Sequence, residues 1–355
     1  MKVALVHDDL IQWGGAERVL SVLSEIFPEA PIYTSCFDES NIHLSNNFSN
    51  KKIITSFIQK IPGFKTLYKS LLPLYPIAFE QFDFSEYDLV ISHTTRFAKS
   101  VLTKPKTTHV SYCHTPPRFL WRFSKQPQNK LLTYLLSYFR IYDQISSSRV
   151  DYFIAGSENA KQRIQKIYKQ NSLVCFPFVD DKFFNNSQNF DGGYYLMISR
   201  LNFYKRVDLA IQVFNNLKKP LKIIGTGPEL SNLSKLAKGD VEFLGNASDN
   251  LLINFISGAK ALIITSEEDF GLTALEAQAL GKPVIGFREG GVLETVIENI
   301  TGVFFDEQTE ESLKKTIELF ERKKFNREDC INNAKNFSKD KFKQRFLKSI
   351  KNIKD

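Results

Sequence analysis

Ala261-Leu-Ile-Ile-Thr-Ser-Glu-Glu-Asp-Phe-Gly-Leu-Thr-Ala-Leu-Glu-Ala277 joins a short apolar run to an acidic loop and then to an apolar helical stretch. Residues 261–264 suit a strand buried on both faces, as in a parallel sheet covered by helices. Glu268 falls in the loop and Glu276 two turns into the helix, with seven residues between them. In open α/β sheets ligands bind beyond the carboxyl ends of the strands, so chemistry is expected in this loop. A loop carboxylate can accept from sugar hydroxyls, and one on the helix can hold a ribose diol. The N–H groups of Phe270, Gly271 and Leu272 open the helix and can meet a sugar or phosphate oxygen. The bland alternative makes Glu268 a helix cap and Glu276 a solvated helix residue.

The same strand–loop–helix unit recurs outward in both directions. Strands are expected at 194–199, 221–225, 241–244, 283–287 and 302–305, with helices at 206–217, 228–237, 249–258, 272–280 and 290–299. Upstream, strands are expected at 2–7, 31–35, 88–92, 109–113, 152–155 and 172–176. Alternation of this kind is the sign of βαβ units around parallel sheets. A chain of 355 residues exceeds what one core usually serves. The expectation is therefore two doubly wound Rossmann-like α/β domains, 1–180 and 194–337, with the polar stretch Asp181 to Gly193 as linker and their loops lining a common cleft. A helix over Ser338 to Ile353 puts Phe342, Phe346 and Ile350 on one face. It is expected to pack near the domain interface.

Composition narrows the class. With 43% hydrophobic and 24% charged residues the chain is an ordinary globular one. Cys36, Cys113, Cys175 and Cys330 form no C-x-x-C pair, which fits buried reduced thiols in the cytosol rather than a zinc or redox site. Met1 to His7 reads as a strand rather than a secretory leader, and no apolar run reaches the ~20 residues of a bilayer span. The net charge of +8 is uneven: residues 1–170 hold 21 Lys/Arg against 14 Asp/Glu, and the remainder 26 against 25. A basic first half attracts phosphates, anionic lipid or nucleic acid. Residues 53–72 carry apolar side chains at helical spacing around Pro62-Gly63 with interleaved lysines, the pattern of an interfacial amphipathic segment or of a core-facing helix pair; membrane contact is the favoured reading.

Four further loops lie at strand ends. His7-Asp8-Asp9-Leu10-Ile11-Gln12-Trp13-Gly14-Gly15 brings paired glycines to a helix start, where free N–H groups suit a phosphate. It is not G-x-G-x-x-G, so the dinucleotide fingerprint fails. Arg200 and Lys205, in Ser199-Arg200-Leu201-Asn202-Phe203-Tyr204-Lys205, can converge on a diphosphate or remain surface charge. Gly225-Thr226-Gly227 can border a base or ribose. Tyr112-Cys113-His114-Thr115-Pro116-Pro117 places a histidine ahead of a stiffened turn, as a sugar contact or a structural residue. His7, His43, His93 and His109 receive no assignment, and no spacing suggests a metal site.

These residues together carry a resemblance. VHDDLIQWGGAERV, SYCHTPPRFLW and EEDFGLTALEAQALGKPVIGFREGG resemble glycosyltransferase family four, the retaining GT-B family, most closely its bacterial O-antigen and exopolysaccharide mannosyltransferase-like branch. The resemblance implies that Gly15 approaches the donor diphosphate and that Arg200 and Lys205 bind it. It implies that Glu268 and the backbone of Phe270, Gly271 and Leu272 hold the transferred sugar and that Glu276 holds the ribose. Thr226 would lie near the base, and His114 would reach the sugar from the other domain. Asp269 follows Glu268 where the family often has a small residue.

The implied activity is metal-independent transfer of a hexose, mannose first, from a GDP- or UDP-sugar. The implied acceptor is a polyprenyl-diphosphate-linked saccharide at the anionic cytoplasmic face of the inner membrane. A sugar-nucleotide epimerase or a transferase with a soluble acceptor is the nearer rival. A nucleic-acid-binding protein has only the basic charge in its favour, and no nucleic acid partner is expected.

Overall fold

The computed structural model describes residues 1–68, 70–121, 130–186 and 190–354. The chain divides into two compact units, Met1–Phe176 with Lys343–Asp355, and Pro177–Phe342.

The first unit is built on an all-parallel sheet of seven strands in the order β3-β2-β1-β4-β5-β6-β7. The strands are β1 (Val3–His7), β2 (Ile32–Thr34), β3 (Ile53–Thr55), β4 (Leu89–Thr94), β5 (Thr108–Cys113), β6 (Tyr152–Ala155) and β7 (Ser172–Val174). β4 is buried along its whole length, so its side chains must suit the interior on both faces. The second unit holds six parallel strands in the order β10-β9-β8-β11-β12-β13: β8 (Tyr194–Ile198), β9 (Leu221–Ile224), β10 (Val241–Gly245), β11 (Ala259–Ile264), β12 (Val284–Phe287) and β13 (Gly302–Phe305). In each sheet the winding reverses between two central neighbours, β1 and β4 in one and β8 and β11 in the other. That reversal leaves a crevice at the strands' carboxyl ends, where doubly wound folds bind ligands.

Helices close the faces. The helix α1 (Gly15–Ile26) follows β1, and α2 (Lys130–Ser147) precedes β6. In the second unit α3 (Leu272–Ala279) follows β11, and Glu310–Glu321 follows β13 with its first turn capped by Thr309. The last helix, α4 (Lys339–Lys354), buries Phe346 fully, edge-on to Phe27 and tilted against Tyr112. Burial of a phenylalanine contributes about 2–3 kcal/mol, enough to anchor the helix end to the first sheet. All four cysteines are free and buried.

Three expectations need correction. Residues 53–72 are not a helix pair: they form β3, a 3-10 turn at Phe57–Lys60 and a short helix at Phe64–Leu67, with Gly63 left-handed between them. Ile58 is fully buried, and Ile54, Phe57, Ile61, Phe64, Leu71 and Leu72 pack against the same core, so most of this segment's apolar side chains are spent inward, Leu67 remaining exposed. The helix expected over 290–299 is only Val292–Thr295. The stretch expected as linker holds a helical turn, Asp181–Phe184, with Phe183 buried; its residues 187–189 lie outside the described ones.

Candidate functional site

Lys205 and Glu268 meet at the reversal point of the second sheet. After β8 the chain makes a loop and a 3-10 turn, Phe203–Lys205, whose last residue turns its ammonium toward the loop after β11. Lys205 Nζ lies 2.7 and 2.8 Å from the two Glu268 oxygens, and Ser266 Oγ donates to Glu268 Oε1 at 2.9 Å. Thr265 Oγ1 donates to the Lys205 carbonyl at 2.7 Å, which ties the two loops by backbone as well as charge. Both side chains keep some exposure, 13% for the lysine and 22% for the glutamate. At that exposure an ion pair contributes on the order of 1 kcal/mol or less, so its importance is positional.

Glycines set the height of these loops. Gly290 has φ +75°, and a Cβ there would stand 2.5 Å from the Glu268 carbonyl oxygen; one on Gly291 would stand 2.3 Å from Phe270 Cα. Gly291 N–H donates to that same Glu268 carbonyl at 2.8 Å. The loop carrying Glu268 is thus seated directly on the Gly290-Gly291 backbone, a support the sequence reading did not identify although the glycine pair is visible in it. Gly225, at φ +144°, lies so close to β8's end that a Cβ would reach 1.8 Å from the Ser199 carbonyl oxygen. Leu201 N–H donates to the Thr226 carbonyl at 2.9 Å and so joins the loops after β8 and β9.

The other expected residues of this unit lie on the neighbouring loops and on α3. Gly271, at φ +87°, precedes α3 without a side-chain cap, so Glu268 is not the helix cap of the bland alternative. Glu276 is 5% exposed, not a solvated helix residue. Phe270 is buried edge-on to Phe337, and Leu272 opens the helix. Arg200 and Thr226 are exposed on the two joined loops, Thr226 Oγ1 lying 3.4 Å from Asn246 Oδ1. Lys205, Glu268, Arg200 and the start of α3 therefore lie on loops that follow β8 and β11, with Glu276 further along the helix.

The first unit places a different assembly at its own reversal point. Asp8, one residue past β1, accepts from the backbone N–H groups of Thr95, Arg96, Phe97 and Ala98 at 2.6 to 2.9 Å. Burial alone would raise its pKa, but Arg96, His7 and the donated N–H groups outweigh that and hold it below the ordinary value. Asp9 is paired to Arg96 and receives the Tyr75 hydroxyl at 3.3 Å; burial and the neighbouring Asp8 push it up despite Arg96. Sequence reasoning passed over both acids, although two adjacent acids at a buried strand's end were a signal.

Beside them runs a chain of histidines. His7 Nδ1 lies 2.9 Å from His93 Nδ1, and His93 Nε2 lies 2.7 Å from His114 Nε2. His7 Nε2 faces Glu17 Oε1 at 3.8 Å. His7, His93 and Glu17 are buried, and His114 is half-buried at the end of β5. Burial pulls the His7 pKa down, yet the nearby Glu17 carboxylate and the charges of Asp8 and Asp9 leave it raised. Burial and the two neighbouring imidazoles push His93 well below its ordinary value. Gly15, exposed in the first turn of α1, stands two residues before Glu17. Histidines left without assignment thus connect the glycine loop to His114. Among the described residues no group of three or more His, Cys, Asp or Glu is placed to hold a metal ion.

With this geometry in view, the similarities are specific. Residues 178–337 match the family Glycosyl transferases group 1. An uncharacterized glycosyltransferase of Methanocaldococcus jannaschii is 26% identical over 206 residues, 56% of this chain and 58% of that protein. The alpha-1,3/1,6-mannosyltransferase ALG2 of Debaryomyces hansenii is 26% identical over 408 residues, 90% of this chain and 82% of that protein. Anabaena Alr3699/HepE, solved in complex with UDP and glucose, superposes with a TM-score of 0.73 at 17% identity, covering 99% of both chains. Two parallel Rossmann-like sheets thus give this chain the GT-B fold, and its residues 178–337 are similar to the glycosyl transferases group 1 family.

Proposed function

We propose that the protein is a retaining, metal-independent glycosyltransferase moving a hexose, mannose first, from a nucleotide-diphosphate sugar to a lipid-linked saccharide in surface polysaccharide (O-antigen or capsule) synthesis. The contact of Lys205 with Glu268 at the reversal point of the second sheet carries this reading. It is a cation and a carboxylate side by side, as a departing diphosphate and a sugar's hydroxyls require. The mannosyltransferase named among the relatives supports mannose, and a neighbour solved with UDP and glucose supports a nucleotide sugar.

In this reading Lys205 and Arg200 stabilise the diphosphate as it leaves, with Gly15 and the start of α3 adding N–H groups. Glu268 and the backbone of Phe270 to Leu272 orient the sugar, Glu276 holds the ribose, Thr226 borders the base and His114 contacts the sugar. The acceptor oxygen bonds to the anomeric carbon on the face from which the phosphate oxygen departs, and its proton passes to that oxygen. No covalent glycosyl-enzyme is formed. Incubation with GDP-mannose and with UDP-hexoses in EDTA, followed by nucleotide release and by the anomeric configuration of the product, tests this. Inversion, or a strict need for a divalent ion, would sink the mechanism.

A membrane-facing surface is favoured by α2 rather than by residues 53–72. Tyr134, Tyr138, Ile141 and Ile145 are 77%, 68%, 60% and 56% exposed and recur every three to four residues along one face of the helix. The opposite face is fixed: buried Asp143 pairs with Lys99 and accepts from Trp121 Nε1 at 2.7 Å and Tyr168 OH at 2.9 Å. Amphipathic tyrosines suit the headgroup level, and the basic excess of residues 1–170 suits an anionic leaflet. These features support a location on the cytoplasmic face of the inner membrane, and flotation with anionic against neutral vesicles tests that reading.

A further inference from the structure

We propose that His93 is a positioning residue that fixes the tautomer of His114, with the buried Glu17–His7 pair setting the direction of the chain. The catalytic consequence rests on the proposed sugar contact of His114; the tautomer does not. The direction follows from one acceptor that cannot donate. His7 Nδ1 lies 3.2 Å from the His93 backbone carbonyl oxygen, so His7 Nδ1 must carry hydrogen. His93 Nδ1, 2.9 Å from that same N–H, must then accept. A neutral His93 therefore has its proton on Nε2 and donates it to His114 Nε2 at 2.7 Å. His114 in turn keeps its own proton on Nδ1.

Packing holds the relay in this order. His93 is fully buried, stacked between His7 at 5.0 Å and Tyr112 at 5.5 Å, and the Tyr112 hydroxyl is itself anchored to the Cys175 carbonyl at 2.8 Å. Glu17, Asp8 and Asp9 surround the His7 end with negative charge, favouring its doubly protonated form and opposing reversal of the chain. His114 thus carries its proton at Nδ1, and its Nε2 is engaged as acceptor.

Full-length protein labelled with 15N-histidine reports each tautomer directly through two-bond 1H–15N correlations at neutral pH. The expected spectrum shows His114 as a single Nδ1–H form, His93 as Nε2–H and His7 doubly protonated. In His93→Phe, His114 is expected to become a mixture of tautomers and kcat/KM to fall about tenfold, the worth of one hydrogen bond. In His93→Gln, whose amide can donate to Nε2, the His114 spectrum and the rate are expected to return. A wild-type His114 in the Nε2–H form, or one unchanged in His93→Phe, would overturn the proposal. Should His93→Phe not fold, a His114 tautomer lost in His93→Gln overturns it equally. Tautomers as expected with no change of rate in His114→Ala would instead overturn the sugar contact and leave the relay standing.

Discussion

The two reversal points are built by opposite means. In the first unit, buried side chains do the positioning: Asp8 gathers four N–H groups of the loop after β4, and a histidine chain crosses the ends of β1, β4 and β5. In the second unit, backbone is laid on backbone at glycines, and the charged side chains stay accessible above it. A carboxylate with every lone pair engaged makes a rigid floor but leaves nothing for a ligand. Glycine contacts bring loops equally close while leaving Lys205, Glu268 and Arg200 at the surface of their unit. The second arrangement suits a donor site, and the first suits a support for one histidine.

The contrast can be broken at the side chains. Asp8→Ala removes the acceptor of four N–H groups, those of Phe97 and Ala98 buried, and is expected to destabilise by about 3–5 kcal/mol, read by urea unfolding. A loss below about 1 kcal/mol would mean that the loop does not depend on that carboxylate. The parallel change in the second unit is Gly225→Ala, which drives a Cβ into the Ser199 carbonyl at a φ that favours glycine. Its expected cost is roughly 2–4 kcal/mol.

Acid should also act on the first unit. His109 is fully buried, with Ser92 Oγ at 2.9 Å from its Nε2 and the Arg149 carbonyl at 3.2 Å from its Nδ1. Burial, only partly offset by that carbonyl and Asp151, pushes its pKa down to about 4. The unfolded chain therefore binds the proton first, so this residue's stabilisation is full above pH ~6.5 and is lost as pH falls toward 4, in total about 3 kcal/mol. His7, with its raised pKa, acts in the opposite sense. Unfolding curves across that window should be flatter in His109→Gln than in the parent.

Smaller in stability but larger in activity, Glu268→Gln is expected to lower kcat by about a hundredfold while shifting stability by no more than about 1 kcal/mol. Equal activity would remove Glu268 from the site. Tyr138→Asp with Ile141→Asp should leave stability within about 0.5 kcal/mol and abolish binding to anionic vesicles.

The positions of twelve strands were legible because buried parallel strands are short β-branched runs closed by turn residues, as at 261–264 and 302–305. β3 was hidden: its Ile53-Ile54-Thr55 continues into Phe57 and Ile58, and that run of apolar side chains satisfies helical spacing as well as it does a strand. Within the site, Lys205 and Glu268 were recognisable from the loops they occupy. The histidine chain was not, because His7 and His93 are 86 positions apart and nothing local marks them as neighbours.

What the sequence by itself determined is periodicity: which segments are strands, which are helices, and that the charged loops fall at strand ends, since each follows from side chains a few positions apart. Only the tertiary structure decided the order of strands, and with it which loop ends meet. Parallel register brings His7 beside His93 and the end of β8 beside the end of β11, and the hydrogen-bond partners met there dictate which nitrogen keeps a proton. Those are relations across distance, set by sheet order and desolvation, which no run of neighbouring residues encodes.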